Sequence, residues 1–136
     1  MKHNGCILSF ASQRNSELLR AYRNAIRKCN IIRIDEISLI TVNTPCSRFW
    51  VSEERATAVV SAIYRGYPIL DTMNPLKREM FQEIYNRSMA ILSEHPDQRL
   101  SDIVFHVVNS PAPKFYITPR SAMEYISKIK KGHYKH

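Results

Sequence analysis

The strongest constraint on this chain is that it contains one pattern twice. Residues 34–66 align without a gap on residues 100–132, at a shift of sixty-six positions. Ile37/Ile103, Val42/Val108, Asn43/Asn109, Pro45/Pro111, Phe49/Phe115, Ala56/Ala122, Ser61/Ser127, Ile63/Ile129 and Gly66/Gly132 are identical. Other pairs keep their chemistry, among them Arg48/Lys114, Trp50/Tyr116, Val51/Ile117, Ser52/Thr118 and Arg65/Lys131. A chain of 136 residues with such a pattern is expected to build one small unit two times and to bury both in a joint core.

The local signals run in the same order in both copies. Asp35 and Ser101 are good N-caps for the segments 36–43 and 102–109. Both segments are rich in β-branched residues, which also suits a strand. The spacing of Ile37, Ile40 and Thr41, and of Ile103 and Val107, predicts helix instead. Pro45 and Pro111 stop these elements. Short extended segments are then expected at 48–51 and 114–117, with Phe49 and Val51 pointing one way and Arg48 and Trp50 the other. Ser52 and Thr118 read as N-caps, and Pro119 suits the first helical position. Helices are expected over about 53–65 and 119–131, closed by Gly66 and Gly132 in the left-handed conformation.

A further helix precedes each copy. Ser16 is a plausible N-cap, and Leu18, Leu19, Tyr22, Ala25 and Ile26 form one apolar stripe. Asn74-Pro75 opens a second such helix over about 75–93, in which Tyr85 falls where Tyr22 falls in the first, at a shift of sixty-three. Residues 1–14 show no clear period, and 6–10 suit a short strand or an arm. The expected fold is all-α: a pseudo-two-fold tandem repeat of two three-helix, helix-turn-helix-like units. It forms a single compact domain over 1–136, with unit one at about 16–66, unit two at about 75–132 and a flexible tail at 133–136. The presence of only three glycines also argues against a sheet rich in tight turns.

Charge is the main guide to partners. Twenty Lys/Arg against twelve Asp/Glu leave a net +8. Residues 1–33 hold seven basic residues and one acid, 34–111 hold seven and ten, and 112–136 hold six and one. Basic ends around an acidic middle point to a polyanion-facing surface built by the two ends. Cys6, Cys29 and Cys46 are odd in number and form no CxxC pair, which suggests a reducing, cytoplasmic setting. No stretch approaches the roughly 20 apolar residues of a membrane span, and no signal peptide is recognisable.

Catalytic signatures are missing. The chain has no Gly-rich phosphate loop, no GxSxG, no HExxH and no cysteine–histidine spacing that suits a metal. His3, His133 and His136 lie near the termini and His95 in a loop, while His106 sits in an apolar helix, where a satisfied or partly buried imidazole is expected. No enzyme activity, cofactor, metal or small-molecule substrate is therefore expected.

A three-helix unit whose third helix is capped and amphipathic resembles the helix-turn-helix DNA-binding domains. The departure is the turn, which here takes about eight residues from Pro45 to Ser52. The resemblance implies that a third helix meets phosphates and base edges with its first turn. Glu53 and Glu54 occupy that turn in the first copy, whereas the second offers Thr118, Arg120 and Ser121 with no acid before Glu124. The expected nucleic-acid-binding residues are Arg20, Arg23, Arg27, Lys114, Thr118, Arg120, Ser121, Lys128, Lys130 and Lys131. The competing expectation is a protein-interaction or assembly module, docking a partner or a second molecule through an apolar patch at Trp50, Tyr64 and Tyr67.

Overall fold

Three small polar residues open three helices. Ser52 Oγ accepts a hydrogen bond from Arg55 N–H, Asn74 Oδ1 from Lys77 N–H and Thr118 Oγ1 from Ser121 N–H. Each bond satisfies one of the orphan donors that a helix leaves at its start. The computed structural model describes residues 2–132, and of residues 2–9 the backbone alone. The expected tail at 133–136 lies outside the described residues.

Among the described residues there are six α-helices: α1 (Lys2–Lys28), α2 (Ile34–Val42), α3 (Glu53–Tyr64), α4 (Pro75–Glu94), α5 (Leu100–Val108) and α6 (Pro119–Lys130), with a short 3-10 turn at Ile69–Thr72. The all-α expectation holds, and no strand occurs among the described residues. Gly66 and Gly132 follow α3 and α6 with φ of 90° and 76°, the left-handed turn-off that glycine adopts without a steric penalty.

Four local expectations are corrected. The first helix does not begin at Ser16 but at Lys2, so Ser16 is a mid-helix residue and 6–10 is neither strand nor arm. Once one turn is nucleated, each added residue costs little, and a helix can run on through a stretch without clear period. Asp35 and Ser101 are not caps: α2 and α5 follow Arg33 and Arg99, neither of which makes a side-chain cap bond. Asp35 and Glu36 instead lie in the first turn of α2, where the helix dipole favours their charge. Residues 48–51 and 114–117 are bends, not strands, and Phe49, Trp50 and Val51 are all buried, so they do not alternate. A strand there would have no ladder partner. Instead Arg48 donates to the carbonyls of Phe49 and Val51 at 2.9 and 2.6 Å. Finally, His106 is exposed on α5, because Ile103, Val104, Val107 and Val108 take the buried face.

The helices group into two compact units that do not follow chain order. One comprises Met1–Cys46 and Pro113–His136, and so holds α1, α2 and α6. The other comprises Ser47–Ala112 and holds α3, α4 and α5. The chain thus leaves the first unit after Cys46, builds the whole of the second, and returns at Pro113.

Each unit has its own apolar interior. In the α1/α2/α6 unit, Leu18, Tyr22 and Ala25 of α1 pack with Ile37 and Val42 of α2 and with Ala122, Ile126 and Ile129 of α6, all buried. In the α3/α4/α5 unit the buried side chains include Val59 and Val60 of α3, Phe81 and Ile84 of α4, and Ile103, Val104 and Val107 of α5. Burial of each large aliphatic or aromatic side chain contributes roughly 1.5–3 kcal/mol before chain entropy is subtracted.

Candidate nucleic-acid interface

The ten basic and hydroxyl residues expected to meet a polyanion come from both ends of the chain. All ten fall in the α1/α2/α6 unit. The described residues of that unit, 2–46 and 113–132, hold twelve Lys/Arg and four Asp/Glu, a net +8. Residues 47–112 hold seven and eight, a net −1. The positive charge of the protein is thus a property of one unit.

Within that unit the residues occupy two helix backs. Arg20, Arg23 and Arg27 lie on the side of α1 opposite the buried Leu18, Tyr22 and Ala25, and all three are exposed. With Ser16 and Asn24 they line a shallow polar cleft of about 370 Å³. Arg27 Nη1 donates to Asn24 Oδ1 at 3.4 Å. On α6, Arg120 and Lys128, with Lys131 at its C-cap, face away from Ala122, Ile126 and Ile129. Arg120 is 91% exposed at its side chain and lies 3.8 Å from Glu124, an exposed pair that water screens and that contributes little.

The two remaining basic residues, the half-buried Lys114 and the exposed Lys130, lie against aromatic rings. Lys130 Nζ lies 4.7 Å from the ring centroid of Tyr22, and Lys114 Nζ 5.5 Å from that of Tyr116. Arg14, which the sequence pattern does not single out, stacks 4.2 Å from the ring of Tyr125. These cations join α1 to α6, and the loop to itself, through the negative faces of aromatic rings. Tyr116 has φ of 60°, a left-handed backbone that costs a residue with a Cβ about 1–2 kcal/mol. Phe115 N–H donates to the carbonyl of Val42 at 2.9 Å, and Cys46 Sγ lies 3.4 Å from the Lys114 carbonyl. The end of α2 therefore anchors the loop that leads into α6, and with it the position of Thr118, Arg120 and Ser121.

The corresponding place in the other unit is closed by its own side chains. Phe49 N–H donates to the Val108 carbonyl at 3.0 Å. Glu53, at the start of α3, accepts from Asn109 Nδ2 at 3.0 Å and lies 3.9 Å from Arg48 Nη1. Partial burial opposes its charge. The Asn109 amide, its own backbone N–H and the Arg48 guanidinium outweigh that cost and hold its carboxyl below the ordinary value. Glu54 beside it is exposed.

Comparison with known protein families, with curated proteins and with solved structures gives no match.

Of the expected partner patch, Trp50 is only 9% exposed, while Tyr64 and Tyr67 are 58% and 60% exposed. The Arg48 guanidinium lies 5.9 Å from the centroid of the Trp50 ring. Phe105, which periodicity assigns no role, is 42% exposed near Tyr67. No group of three or more His, Cys, Asp or Glu among the described residues could hold a metal ion. No helix among them is long and apolar enough to cross a membrane.

Proposed function

We propose that this protein binds DNA through its α1/α2/α6 unit, as a regulatory or architectural protein without catalytic activity. The observation that carries this reading is the segregation of charge, a net +8 over the described residues of that unit against −1 in the other. Charge that served solubility alone would be spread over both. In the proposed mode Thr118, Arg120 and Ser121 meet phosphates and base edges from the first turn of α6. Lys128 and Lys131 continue that face, while Arg20, Arg23 and Arg27 track the sugar-phosphate backbone along α1. Lys114 and Lys130, held against rings, strengthen the local field.

The same proposal includes a duplicated three-helix, helix-turn-helix-like unit. Each unit takes its first two helices from one copy of the pattern and its third from the other. The sequence register supports this, as do the matching bonds Phe49 N–H to Val108 and Phe115 N–H to Val42. It also accounts for the long turn. The helix that follows α2 across a hydrogen-bonded joint is α6, although Val42 and Thr118 are seventy-six positions apart in sequence.

A mobility-shift titration with labelled duplex and single-stranded DNA at two salt concentrations tests the reading. Retention is expected at low salt, falling steeply as salt rises, and weakened by Arg120→Ala and by Lys128→Ala. Failure to retain either form of DNA at low salt would sink it.

A further inference from the structure

The outer face of a helix in a small unit is normally its charged face. On α6 it is: Arg120, Glu124, Ser127 and Lys128, with Lys131 at the C-cap, face away from the core. On α3 it is not. The residues opposite the buried Ala56, Val59 and Val60 are Glu54, Ala58, Ser61, Ala62 and Arg65. Between the two charged ends the face carries only small side chains. With Tyr67 and with Phe105 of α5 it lines an open groove of about 570 Å³. Both of these aromatics are exposed.

We infer that this face pairs two molecules of the protein, α3 against α3 in antiparallel fashion about a two-fold axis. Charge complementarity of the face with itself selects a second molecule over any other partner. Glu54 and Arg65 stand at opposite ends of α3, eleven positions apart, about 16 Å along the axis. Reversing one helix on the other puts Glu54 of each molecule opposite Arg65 of its partner. The axis then passes between Val59 and Val60 in sequence, so that Ala58, Ser61 and Ala62 of both molecules meet where the backbones must approach most closely. Glu54 makes no ion pair among the described residues, and Arg65 has only the Ser61 hydroxyl, at 2.9 Å. Both ends are thus available for an intermolecular pair. A self-complementary patch of this kind gives a closed dimer, since each molecule uses the same surface.

Sedimentation velocity of the full chain without nucleic acid, across the micromolar range, tests this, with circular dichroism to confirm that each variant is folded. The wild type is expected to be a concentration-dependent dimer. Ala58→Arg, at an exposed position, is expected to leave only monomer. Glu54→Lys or Arg65→Glu alone is expected to raise the dimer dissociation constant about tenfold, since the two-fold doubles each new like-charge contact. The double variant Glu54→Lys/Arg65→Glu restores dimerisation, because the swapped charges again face each other. A monomeric wild type overturns the proposal. So does a dimer indifferent to Ala58→Arg, or single charge variants that are not weakened, or a double variant as weak as the singles. None of these readouts involves DNA, so they stand or fall apart from the binding proposed for the other unit.

Discussion

Glu53 shows at the scale of one residue how two aligned stretches of the sequence differ in charge. At a shift of sixty-six positions it aligns with Pro119, and Arg48 and Asn109 align with Lys114 and Asn43. Asn109 Nδ2 bonds both Glu53 and the Phe105 carbonyl, whereas Asn43 Nδ2 bonds the Leu39 carbonyl at 3.0 Å. From sequence, Glu53 and Glu54 look like one acidic pair. Only the folded chain separates them into a carboxylate tied to its own unit and one that faces solvent. Because the folded carboxyl of Glu53 titrates below its ordinary 4.5, its stabilisation is whole above that pH and is lost as the pH falls through the folded value. Glu53→Gln is therefore expected to flatten the acid limb of a stability–pH curve below about pH 4.5, read from urea midpoints. An unchanged limb would mean that other carboxylates set it. Ser88 offers a second test. Its hydroxyl is fully buried with no hydrogen-bond partner among the described residues, and at the shift that pairs Tyr22 with Tyr85 its equivalent is Ala25. Ser88→Ala should stabilise the protein by about 1 kcal/mol, because a buried unpaired hydroxyl costs desolvation with no return. A lowered urea midpoint would show that the hydroxyl is bonded in solution.

At the scale of the element, legibility followed the strength of local chemistry. Ser52, Asn74-Pro75, Thr118-Pro119, Gly66 and Gly132 each act through their own backbone neighbourhood, so their helix ends could be read from sequence. Arg33 and Arg99 precede helices that start without a side-chain cap, and nothing local announces them. The first half of α1 was hidden for a related reason. Asn15 is buried one turn before Leu18 and accepts from the Arg14 guanidinium at 3.1 and 3.3 Å, so a polar residue breaks the apolar stripe where the helix continues. The aromatic segments misled because alternation predicts a face only when a ladder exists, and here Arg48 supplies the hydrogen bonds a neighbouring strand would have made. Thr118 carries the matching prediction. Thr118→Ala should cost about 1 kcal/mol by removing the acceptor for Ser121 N–H, and Thr118→Ser should restore nearly all of it. Thermal unfolding of the three proteins would check this, and equal stability of the alanine and wild-type forms would refute it.

At the scale of the whole molecule, the sequence yields the charge pattern but not its consequence. Basic ends and an acidic middle are plain from counting; which helices they would form a unit with is not, because a repeated pattern is equally consistent with the third helix packing in its own copy or in the other. That choice decides the electrostatics. Had α3 packed with α1 and α2, Glu53 and Glu54 would stand in the same unit as Arg20, Arg23 and Arg27. Instead α6 brings Arg120, Lys128 and Lys131 to them. If the three arginines of α1 each neutralise one phosphate, Arg20→Gln/Arg23→Gln/Arg27→Gln together should lower the slope of log K against log salt by about 2.7, from roughly 0.9 for each contact on duplex DNA. Arg78→Gln/Arg99→Gln, in the near-neutral unit, should leave that slope unchanged while removing two positive charges against three. The comparison separates local contact from overall field. A phosphate-tracking ridge changes the slope only in the first variant, whereas a protein attracted to DNA by net charge alone loses slope in proportion to the charge removed, wherever it lay.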